Sequence, residues 1–486
     1  ILESVLELCL SSSFYTITSL KSKLMPRTSY ISASRVWLTF FIVLLHGCNA
    51  FFGQKRRREE RERKEREEAE RLANLVILFG KEIPKTTFYV LTSIVALLIA
   101  FILIYPFDQG SKKRGNRPDS DDTVDVIVIG CGLPKKGLGW FHITQLLTME
   151  RVNILAVVEP FYMSSELCPS PPDSWKELMA SLSDIGVRVV PSIADLPPLK
   201  KRSSLCLISA QANDNLKYFK ECVLQLGAKF VFLEEPGAPT VSDLLEMQQI
   251  AEQSEVRVFV GYNKNLMSYV QKSVALARQV KNASVLFCHN NSYTQSDLPE
   301  VFTRNPEGMM KSMAIHELAL LVTYFDVTLE NIEKLKVNSS KLFSEKLSVW
   351  KPGTSLPNPE YITDFSRCAF KISLKNGRHV SVMTDRCGGN VSFSVVKDEA
   401  GKEVERFEFP TPAEQEQLEL LVTSDPTIMP QFLVHQKDYF LLKERVINSI
   451  LDGTDADGVA TLQVAIETLK LADYANDILN KSLRAK

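Results

Sequence analysis

Two sets of residues in this chain have types and spacings that can do chemistry. The first is built on glycine. The run TVDVIVIGCGLPKKGLGWFH puts Gly130 and Gly132 at the end of a β-branched stretch, with Gly137 and Gly139 a few residues on. Two glycines so placed allow a tight turn and a close backbone approach. The helix that follows would meet a pyrophosphate with unpaired N–H groups. A second apolar run, NILAVVEP, ends at Glu159. A carboxylate there can accept from the two ribose hydroxyls of NAD and repel the 2′-phosphate of NADP. NAD is the expected cofactor, with NADP disfavoured. The second set is acidic. FVFLEEP ends a buried-looking strand on adjacent Glu234 and Glu235, and Pro236 follows at once. Paired negative charge is an unusual end for a buried strand, which makes the pair a candidate for acid–base work.

Alternating elements must carry these residues. GVRVVPS, SLCLISA (ending near Ser209), AKFVFLEE and VRVFVGYN read as further strands. Asn215 to Leu226 and Leu244 to Gln253 read as helices between them. Strand and helix alternate about seven times, the pattern of a doubly wound parallel sheet. The rest differs. ASVLFCHNNSY reads as a strand and GMMKSMAIHELALLVTYF as one helix. CAFKISLKNGRHVSVMT and VSFSVVKDEAGKEVERFEF read as hairpins, the first with Asn376-Gly377 as a type I′ turn. The chain closes with two amphipathic helices, in which Tyr439, Leu442, Val446 and Ile450, then Val459, Leu462, Ile466 and Leu469, recur at three and four.

Composition bounds the function. With 57 Lys and Arg against 58 Asp and Glu, the formal charge is -1. That balance argues against a nucleic-acid partner, which needs a basic excess. The nine cysteines show no paired spacing, so neither a disulfide framework nor a metal site is expected. Residues 1–123 read as a targeting and membrane region, with Met25 as the expected start. It comprises a signal or anchor at 36–52, a charged helix at 54–72, an uncharged run at 86–105 and a polar linker at 108–123. Twenty uncharged residues can span a bilayer as a helix, so a membrane location, single-pass or two-pass, is expected; the larger basic block before 86 favours that side as cytosolic, while basic residues on both sides leave the orientation open. Two globular domains follow, at 124–262 and 263–486.

FVFLEEPGAPTVSDLLEMQQIAEQSEVRVFVGYNKN resembles the glucose–fructose oxidoreductase/inositol dehydrogenase (Gfo/Idh/MocA) family. The family mark is a strand ending Glu-Lys-Pro, then a helix, then a strand ending Gly-Tyr-Asn-Arg. Glu234, Pro236, Gly261, Tyr262 and Asn263 match it. The glycine run matches with a few residues inserted, so that Gly139 takes the third glycine and His142 the following histidine. The resemblance covers roughly 124–486 and implies an α/β Rossmann domain followed by an α+β domain with a large, open, mostly antiparallel sheet. It implies NAD held by Gly130, Gly132, Gly139, Glu159, Ser209, Glu234 and Pro236, with a cis peptide before Pro236. It also implies a sugar or polyol ligand near Tyr262, Asn263, Lys264 and Lys311. The open sheet is expected to offer a face for a homo-oligomer.

The family reaction moves hydride between a carbinol carbon and the nicotinamide. A base must take the hydroxyl proton, helped by a cation beside the developing alkoxide. The resemblance assigns these tasks to the Lys of Glu-Lys-Pro and to an Asp and a His four apart on one helix. Here the His is His316, the Asp position is Ser312, and the Lys position is Glu235, an inverted charge. His316, Glu235 and Ser312 are therefore the candidate catalytic residues, expected to cluster in a cleft between the domains. Three accounts fit the inversion: a non-catalytic NAD- or sugar-binding relative, an enzyme using His316 alone or a cation such as Lys311 or Lys264 on an unfamiliar substrate, and a sequence error at 235, since one base separates Lys from Glu codons. Restoring Lys at 235 is expected to raise polyol-dependent NAD reduction.

Overall fold

A computed structural model describes residues 122–354 and 360–484. The first domain is built on strands β1 (Val124–Ile129), β2 (Val152–Val158), β3 (Arg188–Val190), β4 (Ser204–Ile208), β5 (Phe230–Leu233) and β6 (Arg257–Val260). These six pair in parallel in the order β6-β5-β4-β1-β2-β3. β1, β4 and β5 are almost wholly buried, because helices cover both faces of the sheet. Their sequences are accordingly continuous apolar runs and do not alternate. The order reverses between β1 and β4, and in such sheets ligands bind at the carboxyl ends beside that reversal.

The second sheet runs β13-β12-β7-β11-β10-β8, with β9 also paired to β10. Its strands are β7 (Ser284–Asn290), β8 (Ile332–Val337), β9 (Glu345–Trp350), β10 (Tyr361–Leu374), β11 (His379–Asp385), β12 (Ser392–Lys397) and β13 (Glu403–Phe409). Only β7 and β11 pair in parallel. This is the expected Rossmann-type domain followed by a mostly antiparallel sheet.

Six helices position the site: α1 (Leu138–Leu146), α2 (Val241–Ser254), α3 (Met309–Ser312), α4 (Ile315–Phe325), α5 (Gln436–Asp452) and α6 (Leu462–Arg484). The end of the chain returns to the first domain. β14 (Ala460–Thr461) adds an antiparallel seventh strand beside β6, and α5 buries Leu442, Val446 and Ile447 in the same cluster as β1 and α1. The boundary read at 262 therefore marks where the first domain pauses, not where it finishes.

α1 starts at Leu138, and Gly139 lets its first turn pack directly on the β1 turn. Two local expectations are corrected. In the Asn376-Gly377 turn only Gly377 has a positive φ, so the turn is not type I′, which needs two such residues. The helix expected through 308–325 is two helices, α3 and α4, broken at Met313–Ala314, where the Ala314 N–H reaches back to the Met309 carbonyl. The expected membrane location is also corrected: no helix among the described residues is long and apolar enough to cross a membrane. The segments at 36–52, 54–72 and 86–105 lie outside those residues.

Candidate active site

The glycine turn sits at the β1/β4 boundary. Gly130 and Gly132 have φ of +84° and +68°, in the left-handed region that favours glycine. A Cβ at Gly139 would stand 1.8 Å from the Gly130 carbonyl oxygen, so no larger residue fits there. That makes Gly139 the third glycine of the turn. Ser209 closes the other side: its N–H donates to the Ile129 carbonyl at 2.8 Å, and its buried hydroxyl has no partner. The inserted residues are clamped from the far end of the chain. Lys135 pairs with Asp425 at 2.8 Å and donates to Thr427 at 3.0 Å, and the Met429 N–H donates to the Lys135 carbonyl.

Glu159 departs from its expected task. It is 3 % exposed, and its Oε2 accepts from the Cys131 and Gly132 N–H groups at 2.8 and 3.0 Å. Its Oε1 accepts from Phe161 and Tyr162 at 3.0 and 3.3 Å. A carboxylate offers about four acceptor positions, and backbone amides take all of them here. The residues thus fit the pyrophosphate half of a dinucleotide: side-chain-free glycines, a first helical turn whose N–H groups lack intrahelical acceptors, and the free Ser209 hydroxyl. In this conformation Glu159 braces the turn and is not turned to a ribose.

The acidic pair follows β5 directly. The Glu235–Pro236 peptide is cis, as expected. The two carboxylates stand in different surroundings. Glu234 is turned inward, where His142 Nε2 lies 2.7 Å from its Oε1 in a short but poorly aligned contact. On the other side of that ring, Lys443 Nζ lies 2.9 Å from His142 Nδ1. Burial, and then the neighbouring Glu235 carboxyl, push the Glu234 carboxyl well above the usual carboxylate range, while Lys443 opposes them. Burial, and then Lys443, hold His142 well below the ordinary imidazole range, so the ring is neutral. Gly261 completes this wall: a Cβ there would meet all three atoms of the Glu234 carboxyl at 3.0–3.1 Å. Gly261→Ala is therefore expected to cost about 1–3 kcal/mol by overpacking, read as a lower denaturant midpoint. An unchanged midpoint would show that the Glu234 carboxyl is free to move.

Glu235 is turned outward. His316 Nε2 lies 3.3 Å from its Oε1, with the two side chains 16 % and 23 % exposed. The edge-on ring of Tyr262 packs against His316 at 6.1 Å between centroids. Burial, followed by Glu235, raises the Tyr262 hydroxyl, which stays neutral. His316 Nδ1 is buried without a partner. The structure thus brings His316 and Glu235 together, but Ser312 is spent elsewhere. Its hydroxyl donates to the Gly308 carbonyl at 2.9 Å, and the break after α3 ends the shared helical face on which it was expected to meet His316. Neither alternative cation is free. Lys264 pairs with Glu317 at 2.7 Å, both buried, and Lys311 pairs with Asp473 at 2.7 Å. Asn263 is buried beside Tyr262.

Sequence reasoning passed over Lys443. The available signal was its position in α5, four residues after Tyr439 and three before Val446, inside the apolar stripe of an amphipathic helix. A lysine there needs a buried partner.

No family model and no curated protein matches this chain. Solved structures do. A probable dehydrogenase from Thermotoga maritima aligns over 74 % of this chain and 97 % of its own, with a TM-score of 0.51 and 13 % identity. An apo scyllo-inositol dehydrogenase from Lactobacillus casei aligns over 73 % of this chain and 95 % of its own, with a TM-score of 0.51 and 14 % identity. The same enzyme with bound NAD(H) and scyllo-inositol aligns over 72 % and 95 %, with a TM-score of 0.50 and 14 % identity. The chain has the fold of these dehydrogenases. At such identities the likeness establishes the two-domain architecture and leaves the chemistry to be argued from the residues.

Proposed function

We propose that this chain is an NAD-dependent oxidoreductase of the Gfo/Idh/MocA type, acting on the hydroxyl of a sugar- or polyol-like compound. The observation that carries the reading is the contact of His316 with Glu235, partly open to solvent and set beyond the carboxyl end of β5. His316 takes the hydroxyl proton at Nε2, since its Nδ1 is buried. Glu235, whose Oε1 lies 3.3 Å from that nitrogen, stabilises the imidazolium that results. The inverted charge at 235 then has a task. The proton leaves with His316, so Glu235 faces a developing cation and not an alkoxide. A bound nicotinamide dinucleotide supplies the hydride acceptor. Gly130, Gly132, Gly139 and Ser209 would hold its pyrophosphate end, with Pro236 and the acidic pair at the reacting end.

The Glu159 carboxyl stands at the end of β2 whichever way its oxygens turn. NAD is therefore expected to bind at least about tenfold more tightly than NADP, a difference of about 1.4 kcal/mol. Fluorescence titration with the two reduced cofactors measures this. Equal affinities would show that Glu159 does not bear on the adenosine ribose.

The reading is tested by following NADH formation with a panel of inositols, alditols and sugars. Reduction with at least one of them is the expected result. Tight NAD binding with no reduction across the panel would make the chain a ligand-binding relative of the dehydrogenases.

A further inference from the structure

Lys443 is a fully buried lysine whose nearest polar neighbour is a histidine. It is 2 % exposed, and its Nζ lies 2.9 Å from His142 Nδ1. An ammonium group donates and cannot accept, so in that form of Lys443 the His142 Nδ1 must be the acceptor. The neutral ring then carries its proton on Nε2, which lies 2.7 Å from Glu234 Oε1. Glu234 is joined through one peptide bond to Glu235, and Glu235 contacts His316. Lys443, His142 and Glu234 thus form one buried run of contacts that ends one residue before Glu235, whose own carboxyl meets His316.

We propose that Lys443 is a positioning residue of the candidate site: it fixes the tautomer of His142 and supplies, from behind Glu234, the positive charge that position 235 lacks. The geometry gives the reason. Two adjacent carboxylates, one of them fully enclosed, repel each other and resist ionisation. The family pattern relieves this with Lys beside Glu. This chain has Glu beside Glu, and among the described residues the cation that bears on the buried carboxylate comes from α5. Its effect agrees in sign: Lys443 lowers the Glu234 carboxyl, and Glu234 in turn raises Lys443 against its burial. Burial still holds the Lys443 ammonium down to about 7.

The surrounding charges do not provide a substitute. Lys264, on the turn that packs against α5, is committed to Glu317, and Asp438 on α5 is committed to His435. The rings of Tyr439 and Phe141 flank the ammonium at 5.3 and 5.9 Å, and the Tyr439 hydroxyl stays neutral because burial, then Glu234, raise it.

The inference deepens the dehydrogenase reading in that it concerns the same site, yet its test does not require turnover. Full-length protein with ¹⁵N-labelled histidine and ¹³C-labelled glutamate carboxyls is compared with Lys443→Met and Lys443→Gln. Below about pH 7, where the ammonium dominates, wild type is expected to show His142 as the Nε2–H tautomer. Lys443→Met should yield a tautomer mixture and move the Glu234 titration to higher pH by about one unit, because an opposing cation is gone. Lys443→Gln, which can still donate to Nδ1, should keep the tautomer but show the same titration shift. Thermal unfolding of each variant shows which of them is folded, and only a folded variant is read. An unchanged tautomer in Lys443→Met, or an unchanged Glu234 titration in both variants, overturns the proposal. If these shifts occur in a protein that reduces no NAD with any polyol, Lys443 keeps its role and the dehydrogenase reading falls. If the protein is active and the shifts are absent, the reverse holds.

Discussion

His316→Ala is expected to lower polyol-dependent NAD reduction by about 10²–10⁴-fold, the range for loss of a positioned general base. The His316 side chain is partly exposed, its Nδ1 is buried without a partner, and its Nε2 lies 3.3 Å from Glu235 Oε1. No neighbour replaces it. Ser312 is bonded to its own helix, and Lys264 and Lys311 are each paired with a carboxylate. NAD affinity should be unchanged, because the glycine turn and Ser209 are carried by other elements. A fall in NAD affinity equal to the fall in rate would place His316 in cofactor binding.

Glu235→Lys is expected to lower the same rate by about 10²-fold, the lower end for loss of a charge partner. Read from sequence alone, this change restores the family pattern and should raise activity. The contact with His316 reverses that expectation. The carboxylate is the histidine's partner, and a lysine in its place would oppose formation of the imidazolium. The new ammonium would also stand one residue from Glu234, which already has His142 and Lys443 behind it. A rise in rate in Glu235→Lys would mean that Glu235 spoils a site otherwise built to the family plan, and that the pairing with His316 is incidental.

These two outcomes show which parts of the protein were legible in the sequence. The parallel sheet was, because each buried strand is an unbroken apolar run and helices alternate with them. The glycine turn was, because few residues tolerate that backbone, while the cis proline came through the resemblance. The proximity of His316 and Glu235 was legible only through resemblance, since they lie 81 positions apart in the chain. What failed were inferences that assumed regular geometry across a site. Placing Ser312 beside His316 required one continuous helix, and the break at Met313–Ala314 removes it. Assigning Glu159 to a ribose required its oxygens to be free, and four backbone amides take them. Lys443 was hidden because charge on an amphipathic helix is normally solvated, and nothing local says that its ammonium faces His142.

The central claim is that Glu235 and His316 act as one proton-accepting pair. Its most direct test is the initial rate of NADH formation, at saturating NAD, for wild type and Glu235→Gln side by side. Gln keeps the shape and can still hydrogen-bond the ring, but it carries no charge to stabilise the imidazolium. A loss of about 10²-fold in kcat with NAD affinity intact is predicted. A Glu235→Gln protein that turns over at the wild-type rate would contradict the pairing.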